Sequence, residues 1–470
     1  MSEQDRNQSY IDLVREENES FFRAEGRRRR YYVDTYGCQQ NESDSEILRG
    51  LAEAMGYLPA SDAAEADLIV VNTCAVREHA EMRILGNVGA MSHIKKKNPD
   101  LVIVMTGCMM SEAHVRDRIK KSFPYVSGTL DTNSHARLPE LVWSFLGDRK
   151  RRYYFDEARD VLAETEGLPR VRTSGVKAWL PIMKGCDNFC SYCIVPYVRG
   201  REASRSAESV LREARELVER GEKEITLLGQ NVNSYRGIEG GFPALLRKID
   251  AIPGKFRIRF MTSHPKDAGE ELFRAMADCE KVAGNLHLPF QSGSDRILKA
   301  MNRGYTAREY EDKIAMARRY RPDLDITSDV IVGFPGETEE DYLATERLVR
   351  ETGFLSLFTF IYSRREGTRA AKIPDDTPEE VIKDRFRRLL AVQDEISHKK
   401  NAALLGKTLE VLYDGVSREG GALTARTSGN RLVSVKADPA LIGAFGRVRI
   451  TSASTWSLAG EPAGTEDENG

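Results

Sequence analysis

A chain of 470 residues is too long for one ordinary hydrophobic core, so two to four domains are expected. With 30% charged and 41% hydrophobic residues it reads as a soluble globular protein, and no stretch approaches the ~18 continuous apolar residues of a membrane helix. The net charge of −2 conceals basic runs at 27–30, 95–97 and 149–152, each of which reads first as a solvated face rather than an anion site.

The N-terminus lacks the apolar core of a signal peptide, and seven cysteines, an odd number, fit thiolate ligands in a reducing compartment better than disulfides. A cytoplasmic location is expected. Residues 1–29 hold few packing residues and read as a flexible extension. From Arg30 to about residue 146, strands and helices alternate. Strands are expected over 30–36, 67–72 (DLIVVN) and 101–106 (LVIVMT), with helices over 43–55 and 75–97. Buried runs alternating with helical periodicity predict a doubly wound parallel α/β domain.

The cysteines fall into this pattern. Cys38, Cys74 and Cys108 each follow a strand, 36 and 34 residues apart, roughly one βα unit each. Three thiols therefore arrive at the carboxyl edge of the sheet, where open α/β sheets bind ligands. The alternative, three buried structural thiols, is ordinary for any one of them but not for the repeated placement.

Residues 147–176 are charged and irregular and read as a linker. A second βα series follows over 177–402. Its strands are expected at 178–184, 224–229, 255–261, 285–289, 325–332 and 355–362, as a partial (β/α)6 barrel with its site at the carboxyl mouth. After the first strand comes Cys186-x3-Cys190-x2-Cys193. A [4Fe–4S] cluster takes four thiolates, so three leave one iron open to chelate S-adenosylmethionine. A zinc knuckle completed by Cys279 or a histidine is the competing reading, but this is not a usual zinc spacing. The remaining strand ends are polar: Gln230 and Asn231, Ser263, Gln291, and Asp329 within the fifth strand, all suited to the adenine, ribose and amino-acid parts of that cofactor. Arg303 reads as a clamp for a carboxylate or phosphate, or equally as a surface helix terminus. His264 and His287 read as structural histidines.

A charged helix over 377–402 leads to short strands at 408–416, 422–428, 431–436 and 446–454, the pattern of a small β-barrel over 403–466. Between 405 and 460 stand seven Lys/Arg against four Asp/Glu, so this barrel reads as an RNA-backbone binder.

The C-x3-C-x2-C loop resembles that of the radical SAM superfamily. The order of the three parts resembles the methylthiotransferase family from about residue 30 to 460, with the final barrel similar to a TRAM domain. Thr35-Tyr36-Gly37-Cys38-Gln39-Gln40-Asn41-Glu42, Val71-Asn72-Thr73-Cys74 and His287-Leu288-Pro289-Phe290-Gln291-Ser292-Gly293 resemble the MiaB type, which modifies tRNA. Gln40 stands where methionine is common and Glu366 where proline is common, which touches loop geometry and leaves the cysteines intact. The resemblance implies 2-methylthiolation of N6-isopentenyladenosine at position 37 of tRNA, beside the anticodon. It implies two [4Fe–4S] clusters, one on Cys186, Cys190 and Cys193 that cleaves S-adenosylmethionine, and an auxiliary one on Cys38, Cys74 and Cys108. One S-adenosylmethionine would supply methyl and another the 5′-deoxyadenosyl radical. A low-potential electron donor such as a flavodoxin, a monomeric state and no membrane partner are expected. A sister methylthiotransferase, a radical SAM methyltransferase and a non-catalytic iron–sulfur RNA binder are the competing readings.

Overall fold

The computed structural model describes residues 3–75, 78–155, 166–172, 174–418 and 420–463. Val76 and Arg77, residues 156–165 and 173 of the expected linker, and 464–466 of the expected barrel lie outside the described residues. The chain divides into two compact units. The first takes residues 1–173 with 184–187 and 194–203, and the second takes 174–183, 188–193 and 204–470.

In the first unit six strands form one parallel sheet: β1 (Arg30–Thr35), β2 (Leu58–Pro59), β3 (Leu68–Thr73), β4 (Val102–Gly107), β5 (Gly128–Leu130) and β6 (Arg152–Tyr154), in the order β2-β1-β3-β4-β5-β6. All of β3 and β4 is buried, and the period of two divides their side chains between two cores. Ile69, Val71, Ile103 and Met105 pack with α3 (Glu78–Lys97) and α4 (Ala113–Ser122), whereas Leu68, Val70, Val102 and Val104 pack with α1 (Glu3–Glu25), α2 (Gln39–Ala54) and α5 (Leu138–Asp148). Covering both faces makes the sheet doubly wound.

The expected flexible extension is instead helix α1. Its apolar stripe is narrow, so composition hides it, yet Ile11 and Val14 are buried in the sheet's second core. Asn18 and Arg15 donate to the carbonyls of Met55 and Ala54, both at 2.8 Å, satisfying acceptors that the end of α2 leaves open. The arginine run behind it is spent within the fold. Arg27 forks onto Asp67 at 2.8 and 2.9 Å, Arg28 reaches Glu19, and Arg30 reaches Glu65, while Arg29 stacks on Phe21.

The expected linker also begins too early, because 152–154 add the edge strand β6. Arg151 donates to the carbonyls of Ile119, Lys120, Phe123 and Val126, capping the end of α4. Further on, the amide of Val171 donates to the Glu46 carbonyl and Arg172 pairs with Glu46 at 2.5 Å.

In the second unit β7 (Lys177–Pro181), β8 (Glu224–Leu228) and β9 (Arg257–Phe260) form a parallel sheet, as do β10 (Asn285–His287), β11 (Asp325–Val332) and β12 (Ser356–Ile361). The six-stranded partial barrel is thus two halves joined by the Ile258–Val282 bridge. Ala178, Leu180, Ile225, Leu227, Ile258, Leu286, Ile326 and Val330 share one core with the surrounding helices. Strand pleating therefore turns Glu224, Arg257, Arg259, Asn285, His287, Asp325 and Asp329 to the other, inner face. Helix starts are fixed locally: Thr306 with Glu309, and Thr338 with Asp341, form capping boxes.

The terminal barrel closes with five strands: β13 (Thr408–Val416), β14 (Leu423–Thr427), β15 (Leu432–Val435), β16 (Phe445–Ala453) and β17 (Leu458–Pro462). Four were expected, and the fifth follows a Ser/Thr-rich turn. The β14–β15 turn, with Asn430 at φ 70°, enters the amino-terminal end of the partial barrel. There Arg259 donates to Glu224 (2.7 Å), Asn285 (2.5 Å) and the carbonyls of Thr427 and Ser428, and Arg257 donates to the carbonyl of Arg426. The amide of Gly284 donates to the Ser428 hydroxyl at 2.7 Å, and Arg431 forks onto buried Asp325. Gly429 sits where any Cβ would strike the Asp325 carboxylate. This turn is the floor of the partial barrel.

Removing Arg431 would strand the Asp325 charge, which costs about 3–5 kcal/mol. Arg431→Ala is expected to lower the urea midpoint accordingly, and Arg431→Met with Asp325→Asn to recover most of that loss.

Candidate functional site

In the first sheet, β1 and β3 are neighbours although their connections run to opposite sides, so the strand order reverses between them. A crevice opens at the carboxyl ends of strands at such a reversal. The register brings those ends level, with Thr35 opposite Asn72 and Thr73 opposite Gly107. Cys74 and Cys108 follow at once, and Cys38 stands at the N-cap of α2. The structure thus brings the three expected thiols to one edge, with Cys74 and Cys108 buried and Cys38 exposed. Gly37, at φ 121°, leaves room that a Cβ would take 3.0 Å from the Cys74 sulfur, and Gly107, at φ 94°, lies against the backbone of Thr73. Asn41 ties the loops together by donating to the carbonyls of Tyr36 (2.7 Å) and Thr73 (2.9 Å), while the Thr73 hydroxyl donates to the Thr106 carbonyl at 2.6 Å.

Charge has been brought to this edge. Arg199, from the short helix Val195–Arg199, is 4% exposed and donates through Nη2 to Asn41 (2.8 Å) and Asp44 (3.0 Å). Burial pushes the Cys108 thiol up in pKa, and Arg199 pulls against it. Burial also pushes Asp44 up, but Arg199, His135, Lys184 and the Gln40 amide together outweigh this and hold the carboxyl below its ordinary value. Lys184 donates to the carbonyl of Thr132 and to Asn133, and burial, helped by Arg199, lowers its pKa to about 7. Buried His135 is brought down to about 4, mainly by desolvation.

Cys186 belongs to the first unit and Cys190 and Cys193 to the second. In the second unit the loop carrying the latter pair is braced. The Ser191 amide donates to Met301 and its carbonyl accepts from Ala370, while Asn302 and Arg369 donate to the carbonyl of Phe189, which stands at φ 46°. Arg303 is not a surface terminus. It is buried, with Nη1 3.4 Å from the Cys190 sulfur and its other nitrogens on Tyr305 (3.0 Å) and the Pro289 carbonyl (2.7 Å). His264 lies with Nε2 4.0 Å from the same sulfur. Its Nδ1 accepts from the Lys266 amide at 3.2 Å, which places the ring proton on Nε2, facing Cys190. Burial, with Arg303 and Lys266, brings its pKa to about 2, so the ring is neutral.

The other expected residues lie at the carboxyl ends of the partial-barrel strands. Gln230 and Asn231 follow β8, Ser263 follows β9, Gln291 follows β10 at φ 68°, and Asp329, within β11, lies 3.5 Å from His287. Thr262 is also held at positive φ, 64°. Such strain gathers at functional sites. Among the described residues the buried Oδ1 atoms of Asn231 and Asn233 and the hydroxyls of Ser191 and Ser263 have no hydrogen-bond partner, which fits a mouth built for a polar ligand. No three His, Cys, Asp or Glu side chains among the described residues converge on a single ion. A cubane differs in taking each thiolate on a different iron. Sequence reasoning missed Asn41, Asp44, Lys184, Arg199 and the role of His264. Their signal lay only in proximity to the cysteine motifs.

Comparison with known proteins gives three family matches: the Uncharacterized protein family UPF0004 over residues 30–131, the Radical SAM superfamily over 180–349, and the TRAM domain over 402–463. The tRNA-2-methylthio-N(6)-dimethylallyladenosine synthase of Acetivibrio thermocellus is 47% identical over 97% of this chain and 95% of its own. The enzyme of the same name from Caldicellulosiruptor saccharolyticus is 46% identical over 96% of each. Among solved structures, the radical S-adenosylmethionine methyltransferase TsrM of Kitasatospora setae, with cobalamin and a [4Fe-4S] cluster bound, shares the fold at TM-score 0.54 and 15% identity, over 73% of this chain and 76% of its own.

Neutral His135 has a pH consequence. Below its ordinary pKa of ~6.5 the unfolded chain takes up a proton that the folded chain refuses until about pH 4, so stability falls as pH drops through that window. His135→Gln is expected to remove about 2–3 kcal/mol of the loss between pH 7 and 4.5, read from urea midpoints of the two proteins at each pH.

Proposed function

The chain belongs to the family of the tRNA-2-methylthio-N(6)-dimethylallyladenosine synthases, and from that premise we propose that it converts N6-isopentenyladenosine at position 37 of tRNA to its 2-methylthio derivative. The observation that carries this reading is the near full-length similarity to those enzymes. The placement of three thiols at the reversal of strand order supports it.

Cys38, Cys74 and Cys108 would hold the auxiliary [4Fe–4S] cluster, and Cys186, Cys190 and Cys193 the other. When bound, the clusters and S-adenosylmethionine would supply the radical, the methyl group and the sulfur that an unactivated aromatic C–H bond demands. The residues of the chain prepare the rest. Arg303 and the Nε2–H of His264 aim donors at the Cys190 sulfur. Gln230, Asn231, Ser263, Gln291 and Asp329 offer amides, a hydroxyl and a carboxylate for the cofactor. The nitrogens of Arg303 meet Cys190, Tyr192, Tyr305 and the Pro289 carbonyl, so its part is to brace the Cys190 loop rather than to clamp a carboxylate.

The terminal barrel would take the RNA backbone electrostatically, with the target base splayed from the anticodon loop. A flavodoxin-like donor would deliver electrons, and the protein would act as a cytoplasmic monomer. Among the described residues no helix is long and apolar enough to cross a membrane.

Nucleosides of tRNA from cells lacking the protein are expected to lose the 2-methylthio-isopentenyl form, restored by the parent chain and not by Cys186→Ala. Loss of a threonylcarbamoyl derivative instead would move the chain to a sister activity. After anaerobic reconstitution, replacing either cysteine trio by alanine should halve the iron and sulfide per chain. Because the β14–β15 turn is also the floor, substitutions at exposed Lys436, Arg447 and Arg449 isolate RNA binding better than deletion does. Their replacement by alanine should weaken tRNA affinity and flatten its salt dependence while S-adenosylmethionine cleavage persists.

A further inference from the structure

Arg199 is a full positive charge buried at the thiol edge, and burying a guanidinium is costly unless its donors are met. Nη2 is met by Asn41 and Asp44. Nη1 is buried with no partner among the described residues, although the planar fork directs it away from the atoms that satisfy Nη2. The Asn41 oxygen that accepts from Nη2 also lies 3.8 Å from the Cys38 sulfur, and Val198, next to Arg199, packs in the same core as Cys108.

We propose that Arg199 is a positioning residue for the auxiliary site: its Nη1 donates to sulfur at the Cys108–Cys38 side of the cluster, and its charge raises the reduction potential of that cluster. The proposal rests on the reading of Cys38, Cys74 and Cys108 as cluster ligands. A cation and an N–H donor beside an iron–sulfur cluster stabilise the reduced, more negative form. Asp44 holds the guanidinium from its other nitrogen, orienting the pair with its positive end toward sulfur.

The test uses the full chain carrying Cys186→Ala, Cys190→Ala and Cys193→Ala, reconstituted so that only the auxiliary cluster remains. Its midpoint potential is followed by electron paramagnetic resonance, and its Fe–S stretching bands by resonance Raman in H2O and D2O. Arg199→Gln is combined with Asp44→Asn so that no buried carboxylate is stranded, and Arg199→Lys serves as the variant that keeps the charge. The double variant should keep its iron and sulfide, shift to a more negative midpoint and lose the D2O shift of the Fe–S bands. Arg199→Lys should lie closer to the parent in potential while losing most of the D2O shift. An unchanged midpoint and D2O shift in the double variant would overturn the proposal, as would an unchanged D2O shift in Arg199→Lys should the double variant fail to load iron. Failure of the parent background itself to hold a cluster would instead overturn the ligand reading of the trio.

Discussion

The parallel register of β1, β3 and β4 is the constraint on which the first unit turns. A slip of one residue between these strands would stagger their ends and send each buried side chain to the wrong core, because the pleat alternates with a period of two. Held in this register, the three strands deliver their following residues to one place. Gly37 and Gly107 matter for the same reason, since a side chain at either would push neighbouring strand ends apart. Placement of the three thiols at this edge is therefore a property of the sheet.

Much of this was legible from sequence because both signals are local. Buried β-branched runs mark β3 and β4, and a cysteine right after each run marks the edge. The Glu379–Ala402 helix and four strands of the terminal barrel were readable from periodicity and turn residues in the same way. What escaped depends on long-range contact. Helix α1 buries only a thin stripe and gains much of its order from donating to the end of α2. Arg151 resembles any residue of a basic run until the end of α4 is seen beneath it. Arg199 and Asp44 lie 155 positions apart in the chain, and no local pattern announces that pairing. His264 was read as structural, and its neutral ring is indeed buried, but its proton points at a cysteine.

The two cysteine-bearing regions share one device. Each buries an arginine and holds it with protein groups: Arg303, 3.4 Å from the Cys190 sulfur, with Tyr305 and the Pro289 carbonyl, and Arg199 with Asn41 and Asp44. Arginine suits this task better than lysine because a planar fork can grip the scaffold with one nitrogen and present another. The sites differ in the counter-charge. Arg199 is backed by a carboxylate, whereas Arg303 meets phenol hydroxyls and a carbonyl and keeps its charge less compensated.

The turn at 428–430 changes how the terminal barrel is to be regarded. A domain tied on by a flexible tether can be exchanged between proteins like a cassette, since nothing else depends on it. Here the turn and the residues beside it accept hydrogen bonds from Arg257 and Arg259 and donate to Asp325, so a foreign replacement would have to reproduce a glycine, a serine and an arginine at matching depth. The lineages of the terminal barrel and of the partial barrel are in this way locked together, and neither can drift without the other following.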